Sequence, residues 1–162
     1  MDDYLSIQKI WQDTDFAEFE ITGSSPVITA KTAVYMTDSL IDELFRQITR
    51  FLSGEVEECC WANKERGDNS TACLSLRFLR KDRLGHVLAE VYMELDDGGE
   101  FSDHNCCFYI NTEYGLLQRF RDQLPKLKQP ELFSVVRLNE CLWLSFRNHQ
   151  GEVLRRARRI GQ

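Results

Sequence analysis

The chain reads as an α+β protein: a mainly antiparallel β-sheet, arranged as a meander, packed with two α-helices. Three observations predict this class. Over most of the chain, apolar and polar residues alternate in short stretches, as half-buried strands require. Two segments switch to a three- and four-residue apolar period, as helices require. The strand-like stretches also follow one another through short polar turns, which suits antiparallel pairing rather than crossover connections.

The elements follow in order. Between Leu5 and Met36 two or three strands are expected: FAEFEI sets Phe16, Glu18 and Glu20 against Ala17, Phe19 and Ile21, and VITAKTAVYM follows the break Gly23-Ser24-Ser25-Pro26. From Thr37 to Ser53 the apolar residues Leu40, Ile41, Leu44, Phe45, Ile48, Phe51 and Leu52 recur at helical steps. Thr37, Asp38 and Ser39 are capping candidates at its start, and Gly54 is placed to end it. Next, TACLSLRFL puts Ala72, Leu74, Leu76 and Phe78 on one face, with Ser75 and Arg77 on the other. HVLAEVYMEL likewise sets Val87, Ala89, Val91, Met93 and Leu95 opposite Glu90 and Glu94. A turn at Asp96-Asp97-Gly98-Gly99 leads towards Cys106-Cys107-Phe108-Tyr109-Ile110. A second helix is expected from near Thr112, carrying Leu116, Leu117, Phe120 and Leu124 and stopped around Pro125. LFSVVRL, CLWLSF and EVLRRARR complete the strands, the last two joined at Asn148-His149-Gln150-Gly151.

Length and composition bound the rest. At 162 residues and 43% hydrophobic composition, one domain over residues 1–162 is expected, with no repeat or Pro/Gly/Ser-rich linker to divide it. The acidic start Met1-Asp2-Asp3 is unlike the basic region of a signal peptide. No apolar run approaches the roughly 18 residues of a membrane span, so a cytoplasmic protein is expected. The six cysteines fall largely in apolar runs, which reads as buried reduced thiols rather than a disulfide framework. Net charge is −6, but Arg155, Arg156, Arg158 and Arg159 against Glu152 make residues 151–162 locally +3. Residues 1–151 therefore carry 16 basic and 25 acidic side chains, −9. An acidic body repels nucleic-acid backbones and attracts basic partners.

The densest polar stretch is ELDDGGEFSDHNCC, Glu94 to Cys107. It departs from a calcium loop, because Gly98 stands where a second ligand is needed. His104 and Cys106 share a strand face on spacing alone, but neither a CxxC nor an HxxxH completes a zinc site, and no metal or cofactor is expected. Cys107 with His104 or His86, or Cys106 with His104, would make a thiol catalyst, against which stands the apolar setting of CCFYI. Glu94, Asp96, Asp97, Glu100 and Asp103 could hold an acid-base pair, and a solvated hairpin tip explains them more simply. Phosphate-binding, nucleophile-elbow and RNA-binding aromatic motifs are missing.

Several short segments resemble the small bacterial immunity proteins of the WapI-like group. They are Trp11-Gln12-Asp13, the Thr-Ala-Val-Tyr approach to a helix at residues 38–52, Cys60-Trp61-Ala62, Leu74-Ser75-Leu76-Arg77-Phe78, a strand begun by Gly85, and Phe108-Tyr109-Ile110-Asn111-Thr112-Glu113 entering a Leu-rich helix. The resemblance spans about residues 4–128, and the segment after Pro130 departs from it. It implies a cytosolic protein that neutralises a cognate toxin domain delivered between bacteria, by binding without catalysis.

Charge suits that implication, since many antibacterial toxins are nucleases with basic clefts. Two acidic clusters are the expected toxin-binding residues: Glu55, Glu57 and Glu58 after the first helix, and Asp96, Asp97, Glu100 and Asp103 in the polar stretch, with Phe101 as an apolar anchor. The readings that compete with it are a small enzyme with a Cys/His site and a β-rich carrier of a small ligand.

Overall fold

A computed structural model of the chain describes residues 3–68, 70–96, 98 and 104–139. Among the described residues eight strands and two α-helices follow one another: β1 (Tyr4–Gln12), β2 (Ala17–Ser24), β3 (Thr29–Met36), α1 (Asp38–Leu52), β4 (Glu58–Ala62), β5 (Leu74–Arg80), β6 (His86–Glu94), β7 (Asn105–Glu113), α2 (Tyr114–Gln123) and β8 (Val135–Leu138). A short 3₁₀ turn, Leu124–Lys128, extends α2. The class is α+β with antiparallel strands, but the strands form two sheets rather than one meander. One has the order β3-β2-β1-β8 and the other β4-β5-β6-β7.

Helix α1 forms where its period says it should. Thr37 caps it, accepting the Leu40 N–H on its side-chain oxygen at 3.3 Å, and Ile41, Leu44, Ile48 and Phe51 make the buried stripe. Gly54 at φ 79 reverses the chain while the Glu55 N–H returns to the Arg50 carbonyl at 3.1 Å. Helix α2 begins two residues later than expected, at Tyr114. Thr112 is still buried in strand alternation and pairs with Val87, so the sheet keeps it. Pro125 falls inside the 3₁₀ turn, one residue after the α-helix gives way.

The helices join the sheets, α1 lying against β4 and α2, and α2 against β7 and β8. The sheets also meet directly: a side chain at Gly23 of β2 would run into the tip of the Phe108 ring of β7. Trp61 donates its indole N–H to the Leu40 carbonyl at 2.9 Å, pinning β4 to α1. The buried hydrophobic residues of both sheets and both helices form one cluster. Among the described residues no helix is long and apolar enough to cross a membrane.

Two expectations are corrected by what lies over the strands. Glu94, expected on the solvent side of its strand, is 3% exposed, its carboxylate taken up by the Gly67 and Cys73 N–H groups. The short edge strand β4, ECCWA, is not among the strands read from periodicity, since it turns inward only at Cys59 and Trp61. The expected strands CLWLSF and EVLRRARR lie outside the described residues.

Candidate functional site

The β1–β2 connection builds a rigid projecting turn. Asp13 accepts the Asp15 and Phe16 N–H groups on Oδ1 at 2.8 and 3.0 Å, and its own N–H donates to the Phe16 carbonyl at 3.1 Å. Those two N–H groups, that of Phe16 foremost, hold the Asp13 carboxyl below its ordinary value of 3.8. Just before the turn, pairing slips between Lys9 and Trp11. Leu5, Ile7 and Lys9 point into the core. A bulge at that point moves Trp11 to the opposite face, in register with Glu18 and, through it, Tyr35. Phe16 completes an aromatic group, its ring centroid 6.2 Å from Trp11 and 5.5 Å, edge-on, from Tyr35. Trp11 and Phe16 are each 43% exposed, so the group is a surface feature.

Beside this turn a cleft of about 320 Å³ opens at the N-terminus of α1, lined by Asp13, Asp15, Phe16, Met36, Asp38 and Lys128 among others. Lys9 lies under the same end with 1% exposure. Its Nζ donates to Gln12 Oε1 at 2.7 Å and to the Gln129 carbonyl at 2.5 Å. Burial pulls its pKa down, while Asp38 and Glu131 pull it up. Lys9 also fixes the return of the chain: its N–H reaches the Ser134 carbonyl at 3.1 Å, and its carbonyl takes the Phe133 N–H at 2.8 Å. Phe133 sits there at φ 65, a conformation unfavourable for a bulky residue, with its side chain 66% exposed. Leu132 next to it is 46% exposed.

The expected acidic clusters have different fates. Glu55 pairs with Arg50 at 2.8 Å, Glu57 approaches Arg80 at 3.9 Å, and Glu58 approaches Arg77 at 3.7 Å. Each of these exposed carboxylates thus has a local counter-charge, which weakens the field it sends outward. Asp96 is exposed, accepts the Gly98 N–H at 2.9 Å, and donates its own N–H to Thr32 of the other sheet at 3.4 Å. Asp97, Glu100, Phe101 and Asp103 lie outside the described residues.

The Cys/His pairing finds little support in the surroundings of the thiols. His104 immediately precedes β7, its carbonyl accepting the Leu95 N–H at 2.8 Å. All five described cysteines are free. Cys59 is buried, whereas Cys60 and Cys107 alternate outward from their strands and are exposed, correcting the uniform burial expected of them. Burial pushes the Cys59 thiol up to about 12 and the Cys73 thiol up to about 11, and raises Cys60, Cys106 and Cys107 as well. Raised values disfavour the nucleophilic thiolate. Among the described residues no group of three or more His, Cys, Asp or Glu is placed to hold a metal ion.

At pH 7 a maleimide should therefore modify Cys60 and Cys107 slowly and reach Cys59 and Cys73 only after denaturation, as mapped by peptide mass spectrometry. One thiol reacting far faster than free cysteine would restore the catalytic reading. The sign for stability is fixed too: Cys59 and Cys73 ionise in the unfolded chain near 9.0 and later in the fold. Their contribution is full below pH 9 and lost as pH rises towards their folded values. The wild type should therefore lose melting temperature between pH 9 and 11 more steeply than Cys73→Ala.

No family model matches the chain, and no curated protein or solved structure matches it either. The strongest exposed feature, the Trp11–Phe16 turn, is not among the binding residues expected from sequence. Its signal is present in QDTDF: an aspartate turn between two strands, with aromatics on both sides that a tight turn leaves little room to bury.

Proposed function

We propose that this chain is a binding protein that captures a basic protein domain through an acidic surface carrying aromatic anchors. On the resemblance to the WapI-like group, that domain belongs to a toxin, which the bound chain neutralises by covering its active cleft. The observation that carries the reading is the β1–β2 turn. It displays Trp11 and Phe16 on a hydrogen-bonded frame, next to Asp13, Asp15 and Glu18. Aromatic side chains of this kind supply binding energy at low entropic cost, and neighbouring carboxylates supply rate and orientation. An acidic body is the complement of a nuclease-like cleft.

The test is affinity capture. The tagged chain, incubated at low salt with lysate of the cells that carry it, should retain one stoichiometric protein with a basic domain, eluted by a salt gradient and identified by mass spectrometry. A column that retains nothing beyond the tag-only control overturns the proposal.

A further inference from the structure

Exposed large apolar residues are scattered in two ways over this molecule. Val27 and Leu84 are 91% and 84% exposed and stand singly at turns, which is ordinary. Tyr109, at 47%, has its hydroxyl committed to Glu90 at 2.9 Å. Trp11, Phe16, Leu132 and Phe133 are different, because β1 brings them to one end of the first sheet: Phe16 by its contact with Trp11, and Phe133 by its bond to Lys9, two residues before Trp11. Two of the four owe their exposure to backbone devices. The bulge turns Trp11 outward, and the left-handed conformation of Phe133 is held by a 2.8 Å bond. Strain and exposed aromatic area are both unfavourable for an isolated fold, and their coincidence marks a functional surface.

The charges around these residues specify the occupant. Asp13, Asp15 and Asp38 line the adjoining cleft, Glu18 pairs with Trp11 across the strands, and Glu131 precedes Leu132. Among the described residues, two lysines at this end are already engaged: Lys9 is buried and Lys128 is tied to Asp42 at 2.5 Å. This end of the first sheet therefore carries exposed apolar side chains and several carboxylates.

Resting on the binding reading above, we infer that Trp11, Phe16, Leu132 and Phe133 are the anchor of the interface. They receive a patch of the partner in which apolar side chains are flanked by lysines or arginines. The 55–58 cluster, already paired with arginines, lies outside it. Truncating Trp11 to Ser should weaken the complex about thirtyfold, as for a central aromatic anchor. Because Trp11 is a surface residue, the variant should keep its melting temperature within a few degrees.

Site-specific photocrosslinking tests this while the partner is still unidentified. p-Benzoylphenylalanine replaces Phe16, Phe133, Glu57 or Tyr109 in turn, and the four proteins are irradiated in lysate of the cells that carry the chain. Phe16 and Phe133 positions should yield adducts with the same protein, mapped to a domain of net positive charge, while Glu57 and Tyr109 do not. Trp11→Ser should cut the Phe133 adduct more than tenfold. No adduct at Phe16 or Phe133 overturns the anchor while leaving the binding reading to the affinity capture. Adducts joining two copies of this chain overturn the basic partner in favour of self-association.

Discussion

Glu94→Ala is expected to remove about 3 kcal/mol of folding stability. Its carboxylate, 3% exposed, accepts the Gly67 N–H at 2.8 Å and the Cys73 N–H at 3.1 Å, one on each oxygen, while its own N–H reaches the Cys73 carbonyl at 2.9 Å. These bonds close the segment between β4 and β5 over the end of β6. Two further side chains support the same closure. Asn63 donates to the Tyr35 and Ala72 carbonyls at 3.2 Å and accepts the Leu74 N–H at 2.8 Å. Lys64 Nζ donates to the Asp68 and Thr71 carbonyls at 2.5 and 2.7 Å. Truncation at Glu94 leaves two N–H groups facing an empty space, each a loss of roughly 1–3 kcal/mol where water cannot replace the acceptor. For a chain of this size the melting temperature should fall by roughly 10 °C. Glu94→Gln retains one acceptor oxygen and should lose about half as much. Urea unfolding monitored by circular dichroism measures both; an unchanged midpoint for Glu94→Ala would mean that the segment closes without this carboxylate.

Glu94 also illustrates where reading a sequence stops. Its alternation with Met93 correctly placed it on the opposite face of β6, but nothing in the local pattern says that a segment some twenty residues earlier folds over that face. Period is a local property and covering is not. The same distinction explains the rest of the fold. The α1 stripe, its Thr37 cap and the alternation of β5 and β6 are consequences of neighbours within one or two turns of chain, and they were legible. The strands divide into two sheets because β3 does not pair with β4, and the first sheet is completed by β8 pairing with β1, for instance Leu138 with Leu5, across most of the chain. No periodicity encodes that choice. The candidate site is assembled in the same non-local way, from a turn at 13–16, the start of α1, and the chain around Lys128 to Phe133. Its acidic character was visible in the charge of the body, whereas its location required the bulge at Lys9/Trp11, which depends on the facing strand. The Glu55, Glu57 and Glu58 cluster was conspicuous in sequence and is modest in space, because Arg50, Arg77 and Arg80 come from elements that the sequence separates from it.

Reversal of charge at this end of the first sheet is the second large effect. Asp15→Lys combined with Glu131→Lys changes the local charge by four units at two exposed residues, and because Glu131 also faces the buried Lys9, the melting temperature of the double variant is checked beside its association rate. Steering by complementary fields raises association rates by factors of about 10 to 1,000. The double variant should accordingly associate with the captured basic domain about 10 to 100 times more slowly at low salt, with a much smaller change in dissociation rate. Near 1 M salt, where the screening length is about 3 Å, the two proteins should associate at similar rates. The decisive measurement is stopped-flow association of the wild type and this double variant with the captured domain across that range of salt. A large gap at low salt that closes as salt rises is the result expected of an acidic recognition surface at this end of the sheet. Equal rates at every salt concentration would contradict it and remove the β1–β2 end from the encounter.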